Sequence, residues 1–147
     1  MLWNLCLLLA TAVGAAPVET TSDFVEYGPA YYAAQEARRP LLVVLNAGPS
    51  TAEASVKPED IRKARVRREL LKQYTVVVVD TSTEAGRKTH ELFGAPALPH
   101  VSVIDKQQKY QLYRSSKPHA AEDWNLLLEK HKDGNLEVAK SASNCFT

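Results

Sequence analysis

Two stretches decide what this chain can fold into: Leu41-Leu42-Val43-Val44-Leu45 and Thr75-Val76-Val77-Val78-Val79. Both run apolar or β-branched without alternating polar positions. Such a strand is buried on both faces, which places it inside a sheet covered by helices. Between the two runs, Pro58-Glu59-Asp60 is a helix start, with proline in the first turn and acids at the positive end of the dipole. That helix is predicted to reach about Gln73. A strand, a crossover helix and a second strand make a parallel pair.

The remaining elements follow from local signals. Tyr31 to Arg39 favours helix, and Pro40 ends it. Glu84 to Phe93 is predicted as another helix, with Gly94 as its C-terminal stop. Val101 to Ile104 and Lys109 to Tyr113 read as two short strands joined through Asp105-Lys106-Gln107-Gln108 as a hairpin. In His119 to Lys132, Trp124, Leu127, Leu128 and His131 fall at i, i+3, i+4 and i+7. That is one amphipathic face, stopped by Asp133-Gly134. The chain is therefore assigned to the α/β class, a central mixed sheet covered by helices. It shows neither an internal repeat nor a linker, so one domain is expected over residues 16–134.

Composition narrows the partners. With 45% hydrophobic residues, 24% charged residues and a net charge of +1, nothing global drives the chain towards nucleic acid or an anionic membrane. Met1 to Ala16 is apolar and has no charged side chain, although a Lys or Arg usually opens a leader. Leu5 to Val13 is followed by Gly14-Ala15-Ala16. This pattern reads as a secretory signal peptide, too short to span a bilayer, cleaved after Ala15 because Pro17 disfavours a cut after Ala16. The expected location is secreted or periplasmic. Export removes Cys6 and leaves Cys145 in a polar tail, residues 135–147, expected to be disordered. One remaining cysteine builds no internal disulfide framework. Cys145 is either an incidental thiol or a link between two chains, so the expectation is a monomer or a Cys145-linked dimer.

The segment Glu91-Leu92-Phe93-Gly94-Ala95-Pro96-Ala97-Leu98-Pro99-His100-Val101 carries a resemblance. A helix ends at an aromatic-Gly pair, and a proline five residues past the Gly opens a strand. The entry into Leu41–Leu45 from Ala37-Arg38-Arg39-Pro40 carries a second. In this order and spacing the chain resembles the thioredoxin-like superfamily over nearly all of its mature length. The resemblance implies a thioredoxin-like fold, a cis peptide bond before Pro99, and an active-site loop facing that proline.

The departures from that family concern chemistry. Where it carries Cys-x-x-Cys, this chain reads Ala47-Gly48-Pro49-Ser50-Thr51-Ala52-Glu53. Matching by Gly-Pro sets Ala47-Gly48-Pro49-Ser50 on the motif. Matching by the preceding strand sets Ser50-Thr51-Ala52-Glu53 there, the register we prefer. Neither contains cysteine, and disulfide exchange needs one thiolate to attack and a second thiol to resolve. The family's buried acid and the aromatic beside its first cysteine fall at Val44 and Pro49, so thiols, acid and aromatic are lost together.

Three functions compete. The first is a non-catalytic module that binds or scaffolds an unidentified protein or peptide along Leu98, Pro99 and His100, where an extended chain can pair through its backbone. The second is a thiol-disulfide oxidoreductase or isomerase, expected from family membership. The third is an envelope-attachment domain using a basic helix, with Arg62, Arg65, Arg68 and Lys72 on one side as an anion-binding face. A Ser50, Glu53 and His100 constellation would suggest acyl transfer, but no nucleophile elbow surrounds it. His90, His100, His119 and His131 lack metal-ligand spacing. No catalytic residue, metal, cofactor or nucleic-acid partner is expected.

Overall fold

The computed structural model describes residues 23–137; the expected signal peptide, Cys6 and Cys145 lie outside them. Nine elements follow one another along this stretch: α1 (Tyr27–Ala37), β1 (Leu41–Asn46), α2 (Pro58–Ile61), α3 (Arg65–Leu71), β2 (Thr75–Asp80), α4 (Glu84–Leu92), β3 (His100–Ile104), β4 (Gln111–Ser115) and α5 (Ala121–His131). The strands form one mixed sheet in the order β2-β1-β3-β4. β1 and β2 are parallel, with Leu41 opposite Thr75 and Asn46 opposite Asp80. β3 runs antiparallel to β1, with Ile104 opposite Leu41 and His100 opposite Leu45.

All six residues of β1 are buried, as its lack of alternation requires. Leu42 and Val44 face one core with Val76, Val78, Val101 and Val103, closed by Leu70, Leu71, Trp124, Leu127 and Leu128 from α3 and α5. Leu41, Val43 and Leu45 face the other with Val77, Val79 and Ile104, closed by Ala30 and Ala34 of α1 and by Phe93. The outer edge of β2 is partly covered: Phe24 bridges Val77 in parallel, its N–H bonded to the Val76 carbonyl at 2.9 Å.

The structure departs from the sequence expectation at three elements. α1 begins at Tyr27, one turn earlier than predicted, because Gly28 and Pro29 occupy its first turn, where N–H groups need no intrahelical partner. β4 starts at Gln111 because the turn before it is longer: the Asp105 carboxylate accepts the N–H groups of Lys109 and Tyr110 at 2.7 and 2.8 Å. The single helix predicted from Pro58 to Gln73 is two short helices broken at Arg62–Ala64. Arginine side chains take over carbonyls at the break. Arg67 Nε donates to the Ile61 carbonyl at 2.7 Å, and Arg68 Nη1 to those of Arg62 and Lys63 at 3.1 and 3.2 Å.

Candidate functional site

The loop Ala47–Ser55 leaves the C-terminal end of β1 and is closed by one side chain. Asn46 is 1% exposed. Its Oδ1 accepts the Val56 N–H at 2.9 Å, and its Nδ2 donates to the Val56 carbonyl at 3.0 Å. Inside the loop, Ala52 N–H bonds the Pro49 carbonyl at 2.9 Å and Ser55 N–H bonds the Ala52 carbonyl at 3.1 Å. The Ser55 hydroxyl donates to the Pro49 carbonyl at 3.0 Å. The loop is thus a succession of turns, and the next helix starts only at Pro58. In both registers the positions matched to the cysteine pair lie ahead of that helix. A thiolate is stabilised by a helix N-terminus or a neighbouring cation; these positions sit on no helix. Ser50, Thr51 and Glu53 are exposed, and Gly48 and Ala52 are half-buried.

Leu45 pairs with His100, so the loop and the Leu98–Pro99 peptide share one end of the sheet. That peptide bond is cis. His90 Nε2 donates to the Pro96 carbonyl at 2.7 Å and braces the segment entering it. Leu98 is half-buried and packs on the α1-side core. Neither its N–H nor its C=O has a hydrogen-bond partner among the described residues.

His100 is turned inward. It is buried, and its Nδ1 lies 2.8 Å from the Ser116 hydroxyl. Burial holds its imidazole below the ordinary value, and Arg114 and His90 push the same way. The polar contact expected from His100 therefore goes to Ser116, and no Ser50–Glu53–His100 constellation forms. On the α4 side of the loop lies a cleft of about 390 Å³, lined by Phe24, Asn46, Ser50, Asp80, Thr83 and Gly86. Gly86 is required there, since a Cβ would fall 1.8 Å from the Asp80 carbonyl oxygen.

The basic residues expected on one helical face are distributed over the break and the second helix. Arg62 forms a bidentate ion pair with Asp23, Lys72 pairs with Glu69 at 2.9 Å, and Arg68 holds the two carbonyls at the break. Arg65 is exposed. Sequence reasoning did not single out Arg67, yet it is 6% exposed and also donates to the Ala121 carbonyl and Asn125 Oδ1 at 3.3 Å. It also missed Asn46, whose signal was a lone amide closing an apolar strand.

No protein-family model and no curated protein matches the chain. Among solved structures it is similar to a thioredoxin from Thermus thermophilus, with a TM-score of 0.58 and 16% identity, covering 78% of this chain and 91% of that one. The fold is thioredoxin-like. A chloroplastic thioredoxin z gives a TM-score of 0.53 at 16% identity, covering 77% of this chain and 98% of that one. A DsbH oxidoreductase gives 0.54 at 17% identity, covering 89% and 94%. At such identities the likeness carries the thioredoxin-like fold alone. Among the described residues, no helix is long and apolar enough to cross a membrane.

Proposed function

We propose that the chain is an exported, non-catalytic thioredoxin-like domain that holds an extended polypeptide at Leu98–Pro99. The observation that carries this reading is a backbone N–H and C=O at Leu98 left unpaired among the described residues, beside a cysteine-free loop made of turns. An extended peptide can satisfy both groups as an added strand would, with specificity set by neighbouring side chains. Half-buried Leu98 and Pro99 supply the apolar floor. Without a dithiol no mixed disulfide forms and resolves, so binding is the whole activity.

The test has two parts. Carboxymethylated insulin B chain, which is unfolded and has no free thiol, should shift the Leu98 amide resonance saturably. The same protein should leave dithiothreitol-driven insulin reduction at its uncatalysed rate. Catalysed reduction abolished by Cys145→Ser would replace this reading with a one-cysteine enzyme, and an unmoved Leu98 amide would remove the peptide site.

A further inference from the structure

At the opposite end of the sheet, the junction between α1 and β1 meets the β3–β4 turn around a recess of about 570 Å³. Its walls are Gln35, Arg38, Lys106, Gln107 and Lys109: three cations, two amides and no carboxylate. None of the three cations lies within 4.0 Å of a carboxylate among the described residues. The nearby acids in sequence are placed or engaged elsewhere. Asp105 is buried and accepts two backbone N–H groups, while Glu36 and Asp133 are exposed and outside the recess wall.

The backbone carrying these cations is fixed from several sides. Gln108 Nε2 donates to the Arg39 carbonyl at 3.1 Å and the Asp105 carbonyl at 2.9 Å, tying the turn to the end of α1. Lys106 N–H bonds the Gly134 carbonyl at 2.9 Å. Lys109 N–H is held by the Asp105 carboxylate. Arg38 and Gln108 both adopt left-handed backbone, φ 52° and 57°, which non-glycine residues rarely do. Of the carbonyls in the last turn of α1, those of Gln35 and Ala34 accept the N–H groups of Arg38 and Arg39 at 3.3 and 3.0 Å.

We propose that this recess binds a small oligoanion carrying at least two phosphate or sulfate groups. Lysine ammonium and arginine guanidinium groups are both suited to tetrahedral oxyanions, the latter in bidentate fashion. Three cations around a space this large match more than one such group. A ligand entering here meets charges with no carboxylate partner to displace among the described residues and a backbone that needs no rearrangement, and both features favour binding. The site lies at the far end of β1 from Leu98–Pro99, so it stands whether or not the peptide reading holds.

The experiment is a titration of the whole protein with sodium pyrophosphate at low ionic strength, followed through the Arg38 side-chain Nε–H and the Lys106–Lys109 amides. Saturable shifts confined to these resonances are expected, with orthophosphate binding several-fold more weakly. Lys106→Ala combined with Lys109→Ala should raise the dissociation constant at least ten-fold, and Arg65→Ala should leave it unchanged. Arg38→Gln provides a second variant should the double one fold poorly. A disulfated heparin disaccharide forms the second arm: saturation by either probe supports the site, and the tighter one names the oxyanion. Shifts of equal size around Arg65 and Arg68, or undiminished binding by the double variant, would overturn the proposal.

Discussion

The segment from Arg62 to Lys72 and the recess at Arg38, Lys106 and Lys109 are both basic, yet they differ in what their charges do. In the first, six cations fall within eleven residues, and most are bound internally: to Asp23, to Glu69 and to carbonyl groups at a helix break. In the second, three cations come from two distant segments, and their charged ends have no partner within the described domain. The clustered charges acquire partners inside the fold, some near in the chain and some, like Asp23 for Arg62, far from it, and so become structural. Charges assembled only by folding can be left free when the acids near them in the chain, such as Asp105 and Glu36, are engaged or placed elsewhere.

Five measurements can break or sharpen this contrast. The largest effect is expected at Arg67, which is buried without a carboxylate and satisfies three acceptors on two parts of the chain. Arg67→Ala leaves those acceptors short and removes packed methylenes. We expect a loss of about 2–4 kcal/mol in urea unfolding. A loss below about 1 kcal/mol would show that the charges of this segment are not structural.

The opposite sign is expected at Arg38. It follows α1 in left-handed backbone, where glycine is the favoured residue. Arg38→Gly should stabilise the fold by about 1 kcal/mol while weakening pyrophosphate binding, a trade of stability against function. Stabilisation without weaker binding would detach Arg38 from the site. Smaller still, Arg62→Ala should cost about 1 kcal/mol or less, because its pair with Asp23 is only partly shielded from water. Arg65→Ala should be silent in the same urea unfolding.

The last expectation concerns pH dependence. Burial lowers the imidazoles of His100, His119 and His131 below 6.5. As pH falls past that value the unfolded chain takes up protons before the folded one does. The stability these residues contribute is therefore complete above the ordinary imidazole range and declines as pH drops below it. Urea midpoints measured from neutral to mildly acid pH should fall, and His119→Gln should flatten the fall.

Much of the fold was legible because its central strands are unalternating apolar runs, a pattern with few alternatives. The element order and the turn at Gly94, which has φ 83°, were legible for similar local reasons. The break at Arg62–Ala64 was not, because a helical wheel assumes that carbonyls are answered by backbone N–H groups. Here arginine side chains from the next helix answer them. The inward turn of His100 was hidden as well: its partner Ser116 lies beyond the end of a different strand. The recess left no local signal, since Arg38 and Lys106 meet only after the sheet has formed.

The double hydrogen bond between Asn46 and Val56 has a consequence for how this domain can change. It acts as a rung made by a side chain, fixing both ends of a nine-residue excursion, Ala47–Ser55, that hangs outside the sheet. Segments fastened at the base in this way are free to vary in length: doubling a flexible loop adds only about 0.6 kcal/mol of closure entropy. The excursion is thus a replaceable cassette. Foreign sequences spliced between Gly48 and Ala54 should be carried without disturbing β1, so long as Asn46 is kept.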